Sequence, residues 1–289
     1  MGLSSVMQVG LSGMSAAELT LDAVAGNLAN LNTSGYKQSF PRFATQVPAT
    51  HSLGHSPGGS NGGTNPVQVG RGVQFAEVAV DSAQGSLVTS NNPTDLAVEG
   101  DGFFILQTAR GERAFTRNGQ FRINGQQRLV TADGDFVLGF AVDASGNVVE
   151  GPLVRLEFSD TYAEGADGNA ARLMSFTIGG DGRILGRYSD GLTRTLGKIP
   201  LARFANANGL VGVGGTRYLD GSNSGPAEIF SADGRSANAI AAGRRELSNT
   251  DLGGNLIAML LAENQYRANG QVVGTASELL DDLMELRRR

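Results

Sequence analysis

The two ends of this 289-residue chain carry the same pattern, and it limits what can lie between them. Toward the N-terminus, apolar residues fall at Met7, Leu11, Met14, Ala17, Leu21, Val24, Leu28 and Leu31. Toward the C-terminus they fall at Leu252, Leu256, Met259, Ala262, Tyr266, Val273, Ala276, Leu280 and Leu283. Steps of three and four are helical spacing, and their alternation is that of a coiled-coil seam. The first stripe breaks strict heptad order at Leu11, Met14 and Ala17, and the second is interrupted at Asn269. Ser248 or Asn249 offers a helix N-cap, Asp251 suits the positive helix end, and Arg287 to Arg289 suit the negative one. Glycines weaken both helices: Gly10, Gly13 and Gly26 in the first, Gly253, Gly254, Gly270 and Gly274 in the second. Each interior glycine costs about 1 kcal/mol relative to alanine. Helical stability comes mostly from packing an apolar face. These stripes therefore need a cover, which could be each other, the rest of the chain, or neighbouring subunits.

The middle has period 2. Leu153, Arg155 and Glu157 alternate with Val154, Leu156 and Phe158, and Met174, Phe176 and Ile178 alternate with Ser175 and Thr177. Turn pairs punctuate the runs at Asn118-Gly119, Asn124-Gly125, Asp133-Gly134, Ser145-Gly146, Asp181-Gly182, Asp190-Gly191 and Asp233-Gly234. Short strands between such turns are hairpins. Residues 48–65, rich in Gly, Ser, His, Pro and Asn, read as a mobile loop. The fold expected is α+β, a helix at each end and a mostly antiparallel β middle.

Composition removes whole classes of chemistry. With 23 basic and 28 acidic residues the net charge is −5, so a nucleic-acid partner is not expected. There is no cysteine, hence no disulfide, thiolate metal site or cysteine nucleophile. The first basic residue is Lys37, so the charged opening of a cleaved secretory signal is missing, and export would use a route that needs none. The longest strongly apolar run, Leu256 to Ala262, is far short of the roughly 20 residues that span a bilayer. His51 and His55, the only histidines, lie in the glycine-rich loop, where i, i+4 spacing does not build a metal site. Gly58 to Gly62 matches G-x-S-x-G around Ser60 but lacks the strand and helix of a nucleophile elbow. GVGGTR, from Gly212, fails the dinucleotide pattern, and Asp133-Gly134-Asp135 lacks the ligand set of a calcium loop. No catalytic residue, metal or cofactor is assigned.

Several segments, in order, resemble the bacterial flagellar axial proteins of rod and hook. They are NLANLNTSGYK (Asn27 to Lys37), PTDLAVEGDGFFIL (Pro93 to Leu106), TRNGQF (Thr116 to Phe121), LVTADGDFVLGF (Leu129 to Phe140), ELSNTDL (Glu246 to Leu252) and AENQYRANGQVVGTASELLDDLMEL (Ala262 to Leu286). GGTNPVQVGRGVQF (Gly62 to Phe75) and the passage from Arg187 to Gly215 lean toward the hook subunit. The outer insert is shorter than hook proteins usually carry, which keeps the distal rod subunit as the alternative. Gly26 and Gly270 also depart from the common pattern.

The resemblance implies terminal helices that pair as a coiled coil, line a narrow tube and order only on assembly, with β domains as outer shells. The divisions it implies are 1–35 with 249–289 as the helical domain, 36–140 with 191–248 as a central β domain, and 141–190 as a small inserted outer β domain. It also implies helical self-polymerisation into a torque-transmitting hook, and flagellar type III export. The implied partners are further copies of the chain, distal rod and hook–filament junction proteins, a hook cap and the export apparatus. The residues expected at subunit interfaces are Met7, Leu11, Met14, Leu21, Val24, Leu28, Leu31, Leu252, Leu256, Met259, Tyr266, Val273, Leu280 and Leu283. Asn27, Asn30, Asn32 and Gly35 are expected to shape the helix exit, Gly35 through a positive φ. From other classes, a cell-surface β-rich binding module accounts for the hairpins but not for two matching terminal stripes. A hydrolase built on Ser60 or a carboxylate pair has no support in the residues.

Overall fold

The computed structural model describes residues 3–58, 62–143, 146–159, 161–162 (backbone), 171–233 and 238–288. Ser60, Ser145, Gly234 and Arg289, singled out in the sequence, lie outside the described residues. The chain forms two compact units. One contains Met1–Ala29, Gln38–Asp81 and Thr250–Arg289, and the other Asn30–Lys37 and Ser82–Asn249. This division departs from the expected three-way split: residues 38–81 belong with the helices, and 141–190 is not set apart.

In the helical unit, α1 (Leu3–Ala29) and α2 (Leu252–Arg288) lie antiparallel. The register follows from Gly10 against Val273, Gly13 against Asn269, and Asn27 against Asn255. The cap of α2 is neither Ser248 nor Asn249. The Asp251 carboxylate accepts from the N–H groups of Gly253 and Gly254, each at 3.0 Å, and satisfies two donors that the first turn leaves open.

Between residues 39 and 80 the described strands pair as two two-stranded ribbons. β1 (Ser39–Thr45) pairs with β4 (Val73–Val80), and β2 (Ala49–Ser52) pairs with β3 (Val67–Val69). A bridge joins His55 to Thr64 beyond them. Much of the stretch read as a loop is thus ribbon, because backbone pairing with 64–69 does not require the apolar alternation on which the sequence reading relied.

The second unit is antiparallel β throughout its named pairings. Its largest sheet runs in the order Val211–Gly214, Arg217–Leu219, Arg113–Thr116, Phe103–Gln107, Phe136–Gly139, Leu129–Val130, Arg122–Ile123. A four-stranded sheet follows from Thr161 to Lys198. Asn124-Gly125, Asp133-Gly134, Asp181-Gly182 and Asp190-Gly191 all sit at hairpin ends. Leu156, Phe158, Ile178 and Ile184 pack in one cluster with Leu96, Phe104, Leu129 and Leu201. The segment expected as an outer insert therefore contributes to the shared core instead of forming its own. Expected alternation fails at Met174: the register shifts between Leu173 and Ser175, and the bulge turns Met174 outward at 72% exposure.

Candidate assembly surface and a buried junction

The seam between the two helices uses small residues. On α1 the buried positions are Gly10, Ala16, Ala17, Val24 and Asn27, and on α2 they are Asn255, Ala262 and Ala276. Asn255, Ala262, Asn269 and Ala276 follow at intervals of seven, and Asn269 touches Gly13. A Cβ on Gly13 would fall 2.6 Å from the Asn269 side chain, so glycine there permits the close approach. On its other side α1 meets the ribbon: the Val73 N–H donates to Ser12 Oγ at 3.3 Å, and Phe43 and Phe75 border the recess beside Ala16 and Leu19.

Small residues in the seam leave the large ones outside. Leu256, Ile257, Met259, Leu260 and Leu261 are between 43% and 64% exposed, forming an apolar band on α2. Of the expected interface residues, Leu11, Leu252, Leu256, Met259 and Leu283 are exposed and Val24 is buried. Met7, Met14, Leu21, Leu28, Leu31, Tyr266, Val273 and Leu280 are half-buried. The sequence stripe follows Leu252, Leu256, Met259 and Ala262 and leaves out Ile257, Leu260 and Leu261, although Leu260 lies four residues after Leu256. The run LIAMLLA is apolar on every side, and that was the available signal.

Asn27 Nδ2 donates to the Ser39 carbonyl at 2.8 Å and to Asn255 Oδ1 at 3.1 Å, while its Oδ1 accepts from the Ser39 N–H at 2.9 Å. The Asn30 carbonyl accepts from the Thr33 N–H, Asn32 is exposed, and Gly35 has φ +70°. A Cβ on Gly35 would lie 2.5 Å from the Asn118 backbone nitrogen.

Beside Gly35 lies a polar cluster that the sequence reading missed. Lys37 Nζ sits 2.6 Å from Glu246 Oε1, Arg117 Nη1 sits 3.7 Å from Oε2, and all three side chains are under 5% exposed. Lys37 also donates to the Ala83 carbonyl at 2.7 Å, the Gly85 N–H donates to Glu246 Oε1 at 2.9 Å, and Arg117 donates to the Gly100 carbonyl at 2.8 Å. Arg117 lies over the Phe103 ring at 5.2 Å. Burial pulls its guanidinium below the ordinary value, opposed mainly by Glu246 and then by Asp101. Backbone bonds close the cluster: Gly35 N–H to the Glu246 carbonyl, Asn249 N–H to the Tyr36 carbonyl, and Leu247 N–H to the Ser86 carbonyl. Four of the six quoted motifs supply a piece: Lys37 ends NLANLNTSGYK, Arg117 lies in TRNGQF, Glu246 opens ELSNTDL, and Gly100 lies in PTDLAVEGDGFFIL.

Among the described residues no group of three or more His, Cys, Asp or Glu is placed to hold a metal, and no helix is long and apolar enough to cross a membrane. A capped helix pair with an outward apolar band is the build of a structural subunit.

Comparison with known proteins agrees. Residues 97–186 match the family described as flagellar hook protein FlgE/F/G D1 domain, and residues 7–37 match flagella basal body rod protein. The flagellar basal-body rod protein FlgG of Bacillus subtilis is 32% identical over 280 residues, covering 96% of this chain and 97% of the relative. The FlgG of Caulobacter vibrioides is 29% identical over 285 residues, covering 97% and 98%. The flagellar hook protein FlgE of Brucella suis is 25% identical over 409 residues, covering both chains fully. The chain belongs to the flagellar hook and rod family of structural, non-enzymatic proteins.

Proposed function

We propose that this chain is a rod subunit of the flagellar basal body, in the distal, straight part of the drive shaft. One observation carries the choice of rod over hook. The alignment with the Bacillus subtilis rod protein runs 280 residues with near-complete coverage of both partners. Against the FlgE proteins of Brucella suis and Borreliella burgdorferi it needs 409 and 435 positions for a chain of 289 residues. Those hook relatives therefore carry whole blocks that this chain lacks. The hook reading retains its own support, since the FlgE of Helicobacter mustelae is 41% identical over 136 residues, 46% of this chain.

Assembly rests on the helical unit. The Leu256–Leu261 band of one copy is covered by the helices of its neighbours, and the helix pair supercoils as a coiled coil around the axial channel. At roughly 25 cal/mol per Å² of apolar surface removed from water, many such bands along a tube hold it together. Contacts between different patches of successive copies propagate as a helix rather than closing. The chain reaches the flagellum by the type III route.

The test is polymerisation of purified chain followed by electron microscopy. Straight rigid tubes are expected from a rod subunit, and curved, supercoiling tubes would assign the hook instead. Leu256→Ser with Leu260→Ser is expected to abolish tubes while leaving the melting of the β unit unchanged.

A further inference from the structure

We propose that Asn269–Gly270 in α2 is a deamidation site of the unassembled chain, shielded once the chain assembles, and that the modified chain is kept out of the tube. This rests on the reading that α1 and α2 are assembly elements. Asparagine followed by glycine is the pair most prone to this reaction, because no side chain covers the glycine nitrogen. The sequence holds five such pairs, at Asn61, Asn118, Asn124, Asn208 and Asn269, and Asn61 lies outside the described residues. Three of the other four are locked in the β unit. Asn118 Oδ1 accepts from the Gln120 N–H at 3.1 Å, and a Cβ on Gly119 would fall 1.7 Å from the Leu96 carbonyl oxygen. Asn124 Oδ1 accepts from the N–H groups of Gln126 and Arg128, each at 2.9 Å. After Asn208, the Gly209 N–H donates to the Asn206 carbonyl at 3.2 Å, and a Cβ there would lie 2.4 Å from the Asn223 backbone. Asn269 depends on helical order instead: its Nδ2 donates to the Gln265 carbonyl at 2.9 Å, and a Cβ on Gly270 would meet nothing within 4 Å.

In α2 the Gly270 N–H is committed to a carbonyl one turn back, so the reaction waits for the helix to open. Gly270 and Gly274 make that opening easier, and no contact within 4 Å inside the chain requires either to be glycine. In the opened segment the Gly270 amide nitrogen attacks Asn269 Cγ. An N–Cγ bond forms, the Cγ–Nδ2 bond breaks, and Nδ2 takes up the Gly270 proton and departs as ammonia. Water then cleaves the cyclic imide at one of its two carbonyls. One cleavage gives aspartate, and the other gives isoaspartate, whose main chain runs through the side-chain carbons. Asn255, Ala262, Asn269 and Ala276 follow at intervals of seven, Asn269 touches Gly13, and Val273 lies against Gly10. Isoaspartate lengthens the backbone by one carbon at 269 and resets the helical phase after it, so Val273 and Ala276 no longer return to the face that meets α1.

The experiment ages purified full-length chain below the concentration at which tubes form, beside assembled tubes and a synthetic peptide spanning residues 262–277. Peptide mapping with isoaspartate detection then gives the rate at each asparagine. In the free chain Asn269 is expected to react ahead of Asn118, Asn124 and Asn208, at a rate within about 10-fold of the peptide, which is an opening cost under about 1.4 kcal/mol. In tubes it is expected to react at least about 10-fold more slowly than in the free chain. A free-chain rate further below the peptide, product appearing first at another of the three, or equal rates in tubes and free chain would overturn the site. Aged chain is then offered to fresh tubes, and isoaspartate at 269 is compared between pellet and supernatant. Depletion of about 10-fold or more from the pellet is expected, and equal content would overturn the exclusion. Gly270→Ala, which covers the nitrogen and fits without a clash, is expected to keep its assembly competence through the same ageing. If fresh chain forms no tubes, it is the assembly reading that fails, and the comparison of free chain with peptide still decides the site.

Discussion

The Asn27 side-chain amide donates to Asn255 Oδ1 at 3.1 Å, joining residues 228 positions apart inside the helix seam. Asn27 also both donates to and accepts from the Ser39 backbone, so one buried amide holds the end of α1, the start of α2 and the first residue of the ribbon. Asn27→Ala leaves these groups buried and unpaired. It is expected to destabilise the helix pair by about 1–3 kcal/mol, seen as a lowered midpoint for loss of helical circular dichroism from assembled tubes. A midpoint within error of wild type would show that the amide contributes nothing there.

Two helix glycines should respond in opposite directions. At Gly13 a side chain meets the Asn269 amide at 2.6 Å, so Gly13→Leu overpacks the seam and should cost about 1–3 kcal/mol and suppress polymerisation. At Gly26 a Cβ meets nothing within 4 Å, so Gly26→Ala should stabilise by up to about 1 kcal/mol and support assembly at lower concentration. Sedimentation of tubes across a concentration series distinguishes the two.

Burial separates two ion pairs of similar length. Lys37–Glu246 is inaccessible, and Glu246→Gln should cost about 3–5 kcal/mol by leaving Lys37 and Arg117 without their carboxylate. Arg128–Glu157, at 2.7 Å, is in water at the Glu157 end, and Glu157→Gln should cost less than about 1 kcal/mol. Urea unfolding of the β unit, followed by tyrosine fluorescence, checks both.

Tyr218 supplies an alkaline signature. Burial raises its phenol above the ordinary value, Tyr36 adds to this, and Arg117 opposes it. The folded state then keeps a proton that the unfolded chain releases near about pH 10. Its contribution to stability is full below that pH and is lost as pH rises toward the folded value. Absorbance titration should show one late tyrosine that Tyr218→Phe removes, and the variant's stability should fall less steeply above about pH 10.

Helices and hairpins were legible in the sequence because their signals are local. The 3/4 stripes, the Asp-Gly turns at 181 and 190 and the weak interior glycines depend on neighbours within one or two turns. The seam itself was not legible. A stripe search favours the largest apolar residues, whereas α1 and α2 meet through Gly13, Ala17, Ala262 and Asn269 and leave Leu260 and Leu261 outside. The ribbon at 49–69 was hidden because its pairing is carried by backbone, and the Met174 bulge because one unpaired residue resets the period. The junction was least legible: Lys37, Arg117 and Glu246 lie in three distant motifs, and only the folded β unit brings them to one point.

The central claim is that α1 and α2 are assembly elements whose exposed band is covered by neighbouring copies. Amide hydrogen exchange on free chain and on assembled tubes tests it most directly. Residues 3–29 and 252–288 should exchange rapidly in the free chain and become protected in the tube, most of all at 256–261. Both helices already protected in a monodisperse chain that never polymerises would contradict it.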